Sequence, residues 1–163
     1  MSQDLSKNRK LDQKPVRLKS IRAVYEESPF VCENHSEYLG QKISMSAEVA
    51  EIFGFLRQET KEHFICLHLN TKNRIICFDL VSTGSLNAAI VHPREVFKSV
   101  LLSNAAAVVF LHNHPSGDPE PSREDSALTR DLKECADFLG IRVLDHIIIG
   151  DTRHVSFVDR GLL

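Results

Sequence analysis

The stretch His112-Asn113-His114-Pro115-Ser116-Gly117-Asp118-Pro119-Glu120-Pro121-Ser122-Arg123-Glu124-Asp125 spells H-x-H-x7-S-x2-D. Before it runs Ala105–Leu111, an apolar segment bounded by Asn104, with the length and composition of a buried strand. After it, Arg123–Leu139 has helical spacing, with Leu128, Leu132, Cys135 and Leu139 on one face and Gly140 at the cap position. Two imidazoles therefore leave the end of a strand, a stiff loop turns, and a carboxylate enters on the next helix. Alternate residues of a strand point to one side, so His112 and His114 aim at one point if the extended path persists through them. Two His and one Asp leave the fourth position of a tetrahedral zinc open, the pattern of a catalytic rather than a structural site.

A plainer reading covers part of the same motif. Ser122-x-x-Asp125 is also close to a helix capping box, in which the Ser accepts from the third helical N–H and the acid reaches back. The two roles are compatible, because a capping serine can still present its hydroxyl to a site. Pro115–Pro121 holds three prolines and one glycine and is pre-organised. Ser116 and Asp118 read as turn residues, although Ser116 is close enough to the motif to position substrate.

H-x-H-x7-S-x2-D is the signature of the JAMM (MPN+) metallopeptidases. The flanks His112–Asp118 (HNHPSGD), Pro121-Ser122, Leu144–Gly150 (LDHIIIG), Val91–Val96 (VHPREV) and the ending from Ser156-Phe157 to Gly161-Leu162-Leu163 resemble the RadC family, which carries a historical DNA repair label. The resemblance runs from about Glu62 to the C-terminus. It is closest to short RadC-like proteins of prophages and mobile elements, which lack the helix-hairpin-helix segment of full-length RadC. It implies an α/β fold with a mixed sheet flanked by helices, in the JAMM/MPN (cytidine deaminase-like) arrangement. It also implies a Zn2+ cofactor held by His112, His114 and Asp125, with a protein or peptide substrate.

Amide hydrolysis needs a base for the water proton and a donor for the oxyanion. Ser122 supplies the donor. The base is not in the motif. The family pattern places a glutamate just before an early apolar strand, and Glu62, ahead of His63–Leu67, matches it. Glu59, one helical turn earlier, is the alternative. The plain reading of Glu62 is a solvated acid at a strand end. It stands about fifty residues before His112, a long spacing for the JAMM layout. His146 reads either as a support behind the ligands or as a strand-end histidine. His92, before Pro93, fits a helix cap. No partner is assigned to His35, His63, His68 or His154.

The rest of the chain is built around this unit. At 163 residues and 42% hydrophobic content, it reads as one globular domain with a tail. Residues 1–19 form a polar, basic tail expected to be disordered. Residues 20–60 form an N-terminal helical extension with a helix over Ala47–Glu59, capped by Ser44 or Ser46, and a short strand in Val16–Tyr25 spans its boundary with the tail. Residues 61–163 form the RadC-like domain. Its expected elements are strands Glu62–Leu69 and Arg74–Val81 about a turn at Asn70–Asn73, a loop Ser82–Asn87 and a resumed strand Ala88–Val91. They continue with a helix from His92-Pro93, the strand and helix of the motif, and strands Ile141–Leu144, His146–Ile149 and His154–Val158.

Net charge is −2, so DNA binding has no support in the overall balance, and only the basic tail offers phosphate contacts. No stretch is long or apolar enough to span a bilayer, and the N-terminus lacks a signal-peptide core. Cys32, Cys66, Cys77 and Cys135 form no C-x2-C pair and read as reduced thiols of a cytoplasmic protein; Cys66 and Cys77 are candidates to face each other across the hairpin, with separate buried thiols the preferred reading. The leading expectation is a zinc-dependent peptide or isopeptide hydrolase. A zinc deaminase is a second reading, opposed by the absence of H-x-E with P-C-x2-C. A DNA-associated accessory module of a mobile element, with a structural or vestigial metal centre, is the third.

Overall fold

The computed structural model describes residues 38–84 and 91–163. The expected tail, the strand in Val16–Tyr25 and most of the stretch from Ser85 to Val91 lie outside the described residues. Five strands form one mixed sheet: β1 His63–Leu69, β2 Ile75–Thr83, β3 Ala107–Asn113, β4 Arg142–Ile149 and β5 His154–Ser156. Their spatial order is β2-β1-β3-β4-β5. Neighbours are antiparallel except β3 and β4, which are parallel and joined by a helical crossover.

Helices cover both faces. On one side, α1 (Ser46–Ile52) and the 3-10 turn Gly54–Gln58 pack Val49, Ile52, Phe53 and Leu56 against Ile65, Leu67, Val109, Leu111 and Ile147. On the other, α2 (Pro93–Leu102) and α3 (Arg123–Leu139) pack Val96, Phe97, Val100, Leu132 and Ala136 against Phe64, Cys66, Val108 and Phe110. The central strands β1 and β3 are buried along their whole length, which explains why both read as apolar runs rather than alternating ones. The mixed α/β sheet between helices is the architecture expected from the sequence.

Several boundaries differ from expectation. The helix over Ala47–Glu59 breaks: α1 ends at Ile52 and the chain tightens into the 3-10 turn at Gly54, the residue that disfavours a continuous helix. Its periodic apolar residues are nonetheless all buried. The cap residue is Met45, not Ser44 or Ser46. Glu48 reaches back to accept from the backbone N–H of Ser44 (2.7 Å) and Met45 (3.2 Å), while the Ser46 hydroxyl donates to Asp159. The two expected strands from Ile141 to Ile149 are one strand, Arg142–Ile149, whose register steps from Val108↔Val143 to Val109↔Asp145 and leaves Leu144 as a bulge. The hairpin turn falls where expected. Asn70 Oδ1 accepts from the N–H of Lys72 and Arg74, and Asn73 takes a positive φ of 56°. His92 caps α2 by its backbone, ahead of Pro93.

Cys66 and Cys77 do not face each other. The register sets Asp79 opposite Cys66 and Cys77 opposite His68. All three described cysteines are free thiols. Burial, reinforced by the Asp79 charge, raises the Cys66 thiol well above its usual value and pushes Cys77 up to about 11, so both stay protonated. No helix among the described residues is long and apolar enough to cross a membrane.

His68 records the electrostatic cost of this layer. It is 1% exposed; Nδ1 meets the Ser103 hydroxyl at 2.8 Å and the Cys77 sulfur at 3.3 Å, and Nε2 has no partner. Burial lowers its pKa to about 4, against the opposing pull of Asp79. Between pH 6.5 and about 4 the unfolded chain therefore binds a proton that the folded chain does not. This contribution to stability is present in full above pH 6.5 and lost as pH falls, by about 3 kcal/mol at pH 4. Urea unfolding at pH 7 and pH 4 should show that difference shrinking by about this amount in His68→Leu; an unchanged pH dependence would contradict the assignment.

Candidate metal centre

The motif closes on itself at one end of the sheet. His112 lies in β3 opposite Ile148 of β4, and the pairing continues past the strand's last residue, because the His114 N–H donates to the Ile149 carbonyl at 3.0 Å. The extended path thus persists through both histidines and turns them to one side. Their Nε2 atoms are 3.1 Å apart. Asp125, the third residue of α3, places Oδ1 3.3 Å from His112 Nε2 and Oδ2 3.5 Å from His114 Nε2.

The capping box is present as well. Ser122 is the N-cap of α3; its Oγ accepts from the Asp125 N–H at 3.0 Å, and Asp125 Oδ2 accepts from the Ser122 N–H at 2.7 Å and its hydroxyl at 2.6 Å. The cap does not compete with the cluster. It sets the carboxylate at the helix entry, where the N-terminal dipole favours negative charge. Burial pushes the Asp125 carboxyl up, but the imidazoles of His112 and His114 beside it outweigh this and hold it well below the usual carboxylate range. The hydrogen bond to Asp125 raises His114 against the effect of burial, and the Glu62 charge adds to the rise.

The loop between His114 and Ser122 is braced from outside. The Asp118 carbonyl accepts from His114 Nδ1 at 2.7 Å, which leaves Nε2 as the lone-pair nitrogen of the neutral ring. Arg153 bridges Asp118 (3.0 Å) and Glu120 (2.9 Å), and Arg160 adds a second contact to Glu120. Gly117 turns with φ 83° and its carbonyl accepts from the Asp151 N–H. Gly150 abuts the Gly117 carbonyl and Pro119 so closely that a Cβ there would collide with both. Asp118 is thus a turn and brace residue, as its place in the loop suggested.

Glu62 precedes β1 by one residue. Phe64 pairs with His112, so the chain at Glu62 runs toward the His114 end of β3, and the Glu62 charge is felt at His114. Asn113 secures this junction: its Oδ1 accepts from the His63 N–H at 2.9 Å and its Nδ2 donates to the Lys61 carbonyl at 3.0 Å, one bond on each side of Glu62. Glu59 is directed elsewhere, its carboxylate lying 3.3 Å from His63 Nε2.

Behind the cluster, His112 Nδ1 is 2.9 Å from His146 Nε2, and His146 Nδ1 is 2.6 Å from the Thr129 hydroxyl. Burial holds His146 well below the ordinary histidine pKa, so it is neutral. His146 therefore supports the cluster rather than merely ending a strand. Asn113 and Thr129 were not singled out in the sequence. Thr129 carried one usable signal, standing four residues after Asp125 on the same helix face.

The donor set fits a small dication. One ligand atom from each of His112, His114 and Asp125 lies within 4.8 Å of the others, the one such group among the described residues. Ligands at about 2.0–2.1 Å from a tetrahedral zinc are separated by about 3.3 Å. The two Nε2 atoms, 3.1 Å apart, are close to that value, and the two oxygens of Asp125 approach one ring each, Oδ1 at 3.3 Å from His112 and Oδ2 at 3.5 Å from His114.

Fold and cluster together define an α/β domain of the JAB/MPN class. A family model described as the RadC-like JAB domain matches residues 43–162, beginning just before α1, and the chain belongs to the RadC family. A "UPF0758 protein" of Methanosarcina mazei is 51% identical over 144 residues, covering 88% of this chain and 62% of that protein. Proteins of the same designation from Bacillus cereus and Pelobacter propionicus are 58% and 59% identical over 66% of this chain, covering 46% and 47% of their own length. The chain thus spans at most about three fifths of these relatives.

Replacing Asn113 by Leu would strand the Lys61 carbonyl and the His63 N–H in a buried junction. Thermal or urea unfolding should register a loss of about 1–3 kcal/mol. Unchanged stability would show that Asn113 does not hold the Glu62 segment.

Proposed function

We propose that the chain is a zinc-dependent hydrolase of peptide or isopeptide bonds, with His112, His114 and Asp125 as ligands, Glu62 as general base and Ser122 as oxyanion donor. The observation that carries this reading is the convergence of His112, His114 and Asp125, one ligand atom of each within 4.8 Å of the others, at the strand end where the Glu62 charge acts on His114. When bound, zinc would lower the pKa of a water toward neutrality and polarise the scissile carbonyl.

The chain's own residues supply the remaining chemistry. Glu62 takes a proton from the attacking water and returns it to the leaving amine. Its position beside the cluster, and the diversion of Glu59 to His63, support Glu62 over Glu59 as that base. Ser122 donates its hydroxyl proton to the oxygen that becomes negative at the carbonyl. In this structure the hydroxyl donates to Asp125 Oδ2 at 2.6 Å, so it exchanges a carboxylate acceptor for the substrate oxygen. The preformed loop and the helix cap keep the groups in place before substrate arrives. The substrate is a protein or peptide whose amide reaches the end of β3.

Metal analysis of the untagged chain, prepared without chelator, should find about one zinc per chain, lost in both His114→Ala and Asp125→Ala. A folded parent that takes up no zinc after the metal is supplied would overturn the reading. In an assay on peptide- and isopeptide-linked substrates, Glu62→Gln should retain zinc while turnover drops by about 10²–10⁴-fold, and Glu59→Gln should remain active. Loss of turnover in Glu59→Gln alone would reassign the base.

A further inference from the structure

We propose that Thr129 and His146 form a fixed hydrogen-bond relay that holds His112 in the tautomer a ligand requires, and so set the affinity of the centre for its metal. The inference rests on the metal-centre reading above and assigns two residues that have no contact with substrate.

The direction of the relay follows from what each group can do. The Thr129 hydroxyl is 2.6 Å from the backbone carbonyl of Asp125, which can only accept, so the hydroxyl proton points there. Its oxygen lone pair is left for His146 Nδ1, also 2.6 Å away, and that nitrogen must carry the ring proton. With its ring proton on Nδ1, His146 accepts at Nε2, 2.9 Å from His112 Nδ1, which places a proton on His112 Nδ1. Its Nε2 is left as a lone pair facing His114 and Asp125.

Metal-bound histidines usually donate their second N–H to a carboxylate, a carbonyl or water. Here the acceptor is another imidazole, which can serve only because Thr129 has fixed its tautomer. Thr129, His112 and His146 are 2%, 1% and 0% exposed, so water does not substitute for any member. Phe157 stacks on the His146 ring at 4.8 Å, while Phe64 and Phe110 meet it edge-on, which prevents the ring from turning over. The relay starts on the backbone of Asp125 and ends facing its side chain, so α3, β4 and β3 are locked around the centre.

The test uses the full chain with two readouts. Nitrogen-15 NMR of the histidine rings in the metal-free protein should show His112 and His146 protonated at Nδ1. Competition with a chromogenic chelator should show zinc binding weakened by about 10–100-fold in Thr129→Val and recovered in Thr129→Ser, which keeps the hydroxyl. Circular dichroism checks that both variants are folded. His146 protonated at Nε2 in the parent, or a folded Thr129→Val that binds zinc as tightly as the parent, would overturn the relay. A parent that shows the expected tautomers and binds no zinc would contradict the hydrolase reading while leaving the tautomer assignment intact.

Discussion

The reciprocal hydrogen bonds between Ser122 and Asp125 fix two things at once: where α3 begins and where a carboxylate points. A helix N-terminus has unsatisfied N–H groups and a partial positive charge, and both favour an acid in the first turn. The acid here is an aspartate. Its short side chain fills the cap with Oδ2 and presents Oδ1 to His112. The polypeptide gains helix stability from the same group that completes the cluster, so structural and chemical demands on this position coincide.

The histidine side depends on the sheet. β3 is central, buried on both faces and parallel to β4, and its pairing with β4 continues to His114. That one extra hydrogen bond keeps the two imidazoles on the same side. The β3–α3–β4 crossover then brings Asp125 and Thr129 from the helix, and His146 from the next strand, back to the same place. The prolines of the loop and the Arg153 and Arg160 contacts limit how far that loop can relax.

The sequence carried the site better than the boundaries. H-x-H on a strand end, a proline-rich turn and S-x-x-D at a helix entry are local patterns, each with a mechanism, and the fold brings them together as their spacing implied. The apolar runs of β1 and β3 were legible for the same reason, since both strands are buried on both faces. The α1 break was not, because Val49, Ile52, Phe53 and Leu56 keep their burial whether the turn is α or 3-10. Nor was the separation of Cys66 from Cys77, which depends on cross-strand register and its bulges. The contact between Glu59 and His63 was not legible either, because it needs the turn before β1 to be in place. The relay was the least legible part: Thr129, His146 and His112 are brought together by tertiary packing, not by local spacing.

Zinc K-edge X-ray absorption on the zinc-loaded chain tests the central claim most directly, because it reads the ligand atoms themselves. The account predicts a four-coordinate shell of nitrogen and oxygen at about 2.0–2.1 Å, with imidazole outer-shell scattering from two rings and no sulfur. A sulfur shell at about 2.3 Å would place the metal at a cysteine, away from His112, His114 and Asp125, and would contradict it.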